Sequence, residues 1–466
     1  MSQNPTPRVR LNAFDMNCVV HQSPGLWRHP EDRARDYNKI SYWTHLAKVL
    51  EKGLFDSIFI ADVLGTYDVY GSTNEIPLSA GAQVPVNDPF LLVSAMAAVT
   101  ENLGFGITAG TAYEHPYGFA RRLATLDHLT EGRFGWNIVT GYLPSAARNF
   151  GHEDQMEHDT RYDHADEYLE VVYKLLEGSW EDDAVVADRE TGVFVDPSKV
   201  HEIKHEGRWF KVPGIAITEP SKQRTPVLFQ AGASKRGLQF AGSNAEAVFV
   251  NSPTKEILKE QVTKIRDAAE AAGRNRDDIR IYTMLTPIVA ETHEAAQAKF
   301  EEYKSYADLN GALALLSGWT GIDFSGYDLD DVIGEDVQSN AIQSSVETFK
   351  KASGDTGKPW TIRQLAEWIG VGGFGPTAVG TGREVAEQLI DWVAETGVDG
   401  FNLAYAITPG TFEDVVEYVV PELQALGAYP ESYDEGTLRQ KLFGQGDRLP
   451  ERHKGASFRV GQTAAV

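Results

Sequence analysis

Three sets of side chains in this chain could together hold an anionic ligand and do chemistry beside it. Gln230-Ala231-Gly232-Ala233-Ser234-Lys235-Arg236-Gly237 directly follows an apolar run at residues 225–230. A small-residue turn that opens a helix presents free backbone N–H groups and a positive dipole end, which suit an anion. Ser234 can add a hydroxyl, and Lys235 or Arg236 a charge. The same pattern also fits a plain strand-to-helix turn. His158, Arg161 and Tyr162 crowd the start of another helical pattern, HDTRYDHADEY, where Asp159 or Thr160 can cap the first turn. They form a dense polar set for an ordinary capped helix. The third set is scattered in sequence: Asp62, Thr108 and Asn137 each end an apolar strand pattern. An amide such as Asn137 on an apolar strand needs a hydrogen-bond partner. Asp62 can accept from a ligand N–H or simply cap the next turn.

Other candidates are weaker. Cys18 is the only cysteine, and it reads either as a small packed hydrophobe or as a reactive thiol. His21, Trp27, Tyr67, Tyr70, His115, Tyr142 and Trp319 occupy loops that can face a pocket. The twelve histidines include the groups His152, His158, His164 and His201, His205. Neither has the spacing of a known metal motif, so no metal site is expected.

The elements that must position these residues alternate. Strand patterns occur at residues 9–14, 56–61, 104–109, 134–140, 226–231, 245–250, 280–290 and 400–404. Helical periodicity occurs at 42–53, 88–101, 117–130, 160–177, 255–272, 293–306, 383–397 and 411–426. Residues 112–149 show the unit plainly: Phe119, Leu123, Leu126 and Leu129 at helical spacing, a glycine stop, then a short strand. Eight such alternations predict an α/β protein of the (β/α)8 TIM-barrel class. An open doubly wound sheet is the alternative, but it normally carries a glycine-rich loop after its first strand. Phe14-Asp15-Met16-Asn17-Cys18 stands there instead. Strand ends at the barrel mouth are where such folds keep their chemistry. Residues 64–87, 178–225 and 307–376 are too long for simple loops and predict insertions after strands 2, 4 and 7. The division expected is a single barrel domain over 1–430 and a polar C-terminal extension over 431–466.

Composition narrows the function. The chain has 466 residues and a net charge of −24, which disfavours nucleic acid and anionic membranes. One cysteine rules out an internal disulfide. No apolar run approaches about 18 residues, and the N-terminus lacks a signal-peptide core. A cytoplasmic protein acting on a small molecule is expected.

The motifs WRHP at Trp27, PVNDP at Pro85, RYDHADEYLE at Arg161, QAGAS at Gln230 and DGFNL at Asp399 resemble the luciferase-like flavin monooxygenases. The resemblance is to the branch with nitrilotriacetate, sulfone, alkane and dialkyl-sulfide monooxygenases. It runs from Leu11 to about Pro450. It implies reduced FMN (FMNH2) supplied by a separate NAD(P)H:flavin reductase, with O2 as co-substrate. It implies a flavin site in which Asp62 lies beside the ring, and Thr108, Ala109 and Asn137 hold the ring edge and the oxygen adduct. His158, Arg161 and Tyr162 reach the ribityl chain and phosphate, and Gly232, Ala233 and Ser234 form the phosphate loop. Asn137, Thr108, Cys18, Tyr67 and Tyr142 take catalytic roles, and Trp27, His21, Tyr70, His115 and Trp319 the substrate pocket. The implied reaction is catabolic oxidation of a long-chain alkane or dialkyl sulfide by a homodimer or homotetramer. Cleavage of riboflavin to lumichrome, or flavin binding without catalysis, are the alternatives. Two departures stand out: Trp319 and Tyr142 occupy positions where relatives carry histidines.

Overall fold

A computed structural model describes residues 6–232, 234–332 and 360–460. Eight strands form its centre: β1 (Arg10–Met16), β2 (Ser57–Ala61), β3 (Gly104–Gly110), β4 (Phe134–Val139), β5 (Val227–Ala231), β6 (Ala247–Val250), β7 (Arg280–Val289) and β8 (Gly400–Leu403). Each pairs in parallel with the next, and β8 pairs with β1, with Arg10 opposite Gly400. The sheet is therefore a closed barrel, ringed by helices. The strands are near-continuous runs of buried residues, as expected of a parallel sheet covered on its outer side. A short extra strand, Thr377–Gly380, pairs only with the far end of β7.

Alternation along each strand sorts its side chains. Trp136 points outward onto Phe119 and Tyr168, so Gly135 and Asn137 point inward. Phe14, Phe59, Phe229 and Phe249 fill the interior, with ring centroids 5.0–5.9 Å apart. A Cβ on Gly135 would stand 2.6 Å from the Phe229 ring, which is why the strand carries glycine there. A polar layer also crosses the interior: Ser57 Oγ donates to Asn12 Oδ1 at 2.7 Å, and Asn12 Nδ2 to Asn402 Oδ1 at 2.9 Å.

The C-terminal residues, polar by composition, close the barrel floor. The helix Leu438–Phe443 inserts Leu438 and Leu442 among the interior phenylalanines. Between them Arg439, 1% exposed, donates to both oxygens of Glu246 at 2.6 and 2.8 Å and to the Thr225 and Asp447 carbonyls. Arg10 reaches the Lys441 and Leu442 carbonyls.

Two of the insertions gather at the mouth. Residues 64–87 run back along the first loop, with Cys18 bridging Val86 and Gln83 donating to the His21 carbonyl. Beyond β7, the helices Leu309–Thr320 and Ile362–Ile369 form a small core of their own, against which Tyr70 and Trp319 pack. Asp308 and Gly321 cap the first of these. In residues 178–225, the two-residue strands His205–Glu206 and Lys211–Val212 make a hairpin. Its turn is clamped by the Glu167 carboxylate, which accepts from the backbone of Arg208, Trp209 and Phe210. Among the described residues no helix is long and apolar enough to cross a membrane.

Candidate active site

Neighbouring strands set the first pair. Thr108 on β3 and Asn137 on β4 stand in register, both inward and both 3% exposed. Asn137 Nδ2 donates to Thr108 Oγ1 at 2.9 Å, and Asn137 Oδ1 is buried with no partner. An unpaired acceptor in an apolar wall carries a desolvation penalty until a donor arrives. Ala109 follows, half-buried, with its carbonyl accepting from the Trp136 indole.

Asp62 leaves β2 on the same side. It lines a cleft of about 80 Å³ with Thr108, Gly110, Tyr113, Val139 and Tyr142. Burial, helped by the nearby Asp88 carboxylate, pushes its carboxyl up to about 7. Tyr142 presents its ring to this cleft, 46% exposed, while its hydroxyl meets Tyr67 at 2.5 Å. Burial pushes the Tyr142 phenol up to about 12. Tyr67 is 1% exposed, and Trp319 packs against the cluster that contains it. Gly318 permits that approach, because a Cβ there would lie 1.9 Å from the Tyr67 ring. Tyr67, Tyr142 and Trp319 thus form one connected wall.

A second cleft, of about 190 Å³, shares Ala112 and Tyr113 with the first and adds Thr111, Thr140, Gln155, Arg161 and His164. Arg161 donates Nη1 to the Met156 carbonyl, but its Nε is buried and unpaired. The next residue, Tyr162, is buried with its hydroxyl against the turn after β5. A Cβ on Gly232 would lie 3.2 Å from it and one on Gly237 2.8 Å. Burial raises the Tyr162 phenol, and a Ser234 hydrogen bond opposes the shift. Ser234 caps the helix Lys235–Asn244, its Oγ accepting from Gly237 N at 3.0 Å. Gly232 has φ +156. Arg236 is neutralised by Asp163 and Asp166. His158 sits on the exposed first turn against Tyr162 and Asp159. Ala233 lies outside the described residues.

Other expected residues stand apart from this set. Cys18 is 2% exposed and its thiol donates to the Val20 carbonyl at 3.1 Å. Burial and the Asp15 carboxylate push that thiol well up, so it is protonated at neutral pH. His21 lies over Phe14 at 4.4 Å in the barrel mouth, and burial pushes it down to about 3. Trp27 is half-buried on a turn whose neighbour Arg28 bonds the Tyr306 carbonyl. Tyr70 packs with the small second core. His115 caps the helix Pro116–Leu129 and stacks edge-on against Phe210. Two residues of the clefts carry no mark in the sequence: Gln155, and Tyr113, whose hydroxyl donates to Gln155 Oε1 at 2.9 Å. Among the described residues no group of three or more His, Cys, Asp or Glu could hold a metal ion.

An FMN molecule needs donors and acceptors for a flat polar ring edge, and cationic or N–H donors for a dianionic phosphate. The unpaired atoms of Asn137 and Arg161, with the Tyr162–Ser234 turn, supply groups of both kinds.

Comparison with known proteins agrees with this chemistry. The luciferase-like monooxygenase family matches residues 16–400. Dimethyl-sulfide monooxygenase of Hyphomicrobium sulfonivorans is 53% identical over 97% of this chain and 94% of its own, and its crystal structure superposes with a TM-score of 0.92. Long-chain alkane monooxygenase of Geobacillus thermodenitrificans is 49% identical over 97% of this chain and 98% of its own. A riboflavin lyase structure with modified FMN and riboflavin is 37% identical, covers 97% of this chain and all of its own, and has a TM-score of 0.87.

Proposed function

The chain belongs to the luciferase-like monooxygenase family, and from that premise we propose an FMNH2- and O2-dependent two-component monooxygenase acting on a small apolar or heteroaromatic compound. Alkanes and dialkyl sulfides are the leading substrate classes. A separate NAD(P)H:flavin reductase supplies FMNH2 by diffusion. The observation that carries the reading is the pair of joined clefts: Arg161, whose Nε is unpaired, lines one of them, and Thr108, which holds Asn137, lines the other.

Reduced FMN supplies the two electrons with which O2 gives one oxygen atom to the substrate and one to water. The protein's part is to bind, orient and exclude water. Ser234, Tyr162 and the first N–H groups of the Lys235–Asn244 helix bind phosphate, and Arg161 adds the charge that Arg236 has already spent on Asp163 and Asp166. Asn137 Oδ1 accepts a ring N–H, and Asp62 lies beside the ring. The four interior phenylalanines close the site from below. Tyr67, Tyr142 and Trp319 form the substrate wall. Cys18 acts as a hydrogen-bond donor, not a nucleophile. We read 1–430 as one barrel domain with 431–466 as its extension. Leu91 and Leu129, 78% and 59% exposed, support a homo-oligomer.

A second reading is riboflavin cleavage. It is favoured by the open aromatic face of Tyr142, which suits a planar heterocycle.

The test is incubation with an FMN reductase, NADH and 18O2, screening alkanes, sulfides and riboflavin by mass spectrometry. One 18O atom per product molecule is expected. Turnover without oxygen overturns the proposal, and stoichiometric lumichrome selects the second reading. Asn137→Ala should lower coupled oxidation more than flavin affinity.

A further inference from the structure

The cleft between Tyr113 and Arg161 contains two buried N–H donors without partners and one of them, Gln155 Nε2, has no role in the reading above. The Tyr113 hydroxyl donates to Gln155 Oε1 at 2.9 Å, which fixes the amide and turns Nε2 the other way. Nε2 then lies 3.3 Å from where a Cβ on Gly141 would stand. It therefore sits beside the loop that carries Tyr142, where the two clefts join. The second unpaired donor is Arg161 Nε. Among the nearby acceptors, Asp154 Oδ1 accepts from the Gln155 backbone. Burial lowers the His164 imidazole, which also lines this cleft. Two shielded donors facing one cleft call for acceptors from a ligand.

We propose that Gln155, held by Tyr113, is a ligand-binding residue that donates Nε2–H to an oxygen acceptor in this cleft. The acceptor is a carbonyl, ribityl or phosphate oxygen of bound flavin, or an oxygen on the organic substrate. The proposal rests on the flavin reading of the clefts. Tyr113 is the positioning residue: it touches Gln155 and decides which end of the amide faces the ligand.

The test uses Gln155→Glu, which keeps an acceptor for Tyr113 and removes the donor, Gln155→Met, which removes both, and Tyr113→Phe. FMN and lumiflavin affinities are measured by fluorescence titration. KM is measured for whichever of dimethyl sulfone and riboflavin, both of which carry oxygen acceptors, the wild-type enzyme oxidises. Loss of one donor should weaken the affected ligand by about fivefold or more in both Gln155 variants, and by less in Tyr113→Phe. Weakening of FMN and lumiflavin together identifies a ring carbonyl; weakening of FMN alone, the ribityl or phosphate oxygens. A raised KM with unchanged flavin affinity identifies the substrate. Changes below about twofold in every quantity, in both Gln155 variants, overturn the proposal. If the wild type binds FMN but oxidises nothing, the monooxygenase reading fails while the two binding arms still decide the role of Gln155.

Discussion

Arg439 at the barrel floor is fully buried and Arg161 at its mouth half-buried, and they are used differently. Arg439 spends its guanidinium on a bidentate grip of Glu246 and on two carbonyls. Arg161 spends one nitrogen on a carbonyl and keeps Nε unpaired, and among the described residues it makes no ion pair. A saturated cation holds structure, because its charge has already been compensated. An unsaturated one is tolerated only where something else completes it. The mouth repeats this pattern at Asn137 and Gln155.

The largest effect that tests the contrast lies at the floor. Arg439→Met leaves the Glu246 carboxylate buried without its partner and should cost about 3–5 kcal/mol of stability, seen as a lowered urea midpoint. A loss below about 1 kcal/mol would break the comparison, since the saturated pair would then not be structural. At the mouth, Ser234→Ala should cost only about 1 kcal/mol of stability, the loss of one helix cap, and weaken FMN binding by about 1–2 kcal/mol through one lost hydrogen bond to a charged group. Unchanged affinity by fluorescence titration would remove the phosphate-loop assignment.

The third and smallest effect is a pH dependence. Asp62 sits near 7 because burial disfavours its charge. A ligand N–H that bonds it favours the ionised form. FMN affinity should therefore rise with pH, by up to about tenfold per unit below about pH 7, and level off above it. Asp62→Asn should flatten the profile. A flat wild-type profile would show that Asp62 does not meet the ligand.

Much of this architecture was legible in the chain. All eight barrel strands lie where apolar runs predict them, and the register that joins Thr108 to Asn137 follows from two such runs being neighbours. Loop residues were harder, because position in a loop does not fix where a side chain points. Tyr67, Tyr142 and Trp319 come together, whereas Trp27 lies on a turn that Arg28 ties to the Tyr306 carbonyl and His115 is occupied as a cap. Gln155 belongs to a stretch without periodicity, and only the Tyr113 bond reveals its orientation. The floor helix was hidden for a different reason. Leu438 and Leu442 are two apolar residues in a polar segment, too few to signal that they complete a core begun at Phe14.

Closing that floor has a consequence for how the chain reaches this state. Arg10 bonds the carbonyls of Lys441 and Leu442, 431 and 432 positions away, and β1 pairs with β8 across a similar span. Contacts of such separation add nothing until almost the whole chain has been ordered, so they slow folding more than they raise stability. Individual β/α units can form early from local contacts, but the ring exists only when the first strand meets the last. Until then the interior phenylalanines are open to water at one end, and the partly built sheet has free edges that another chain can pair with.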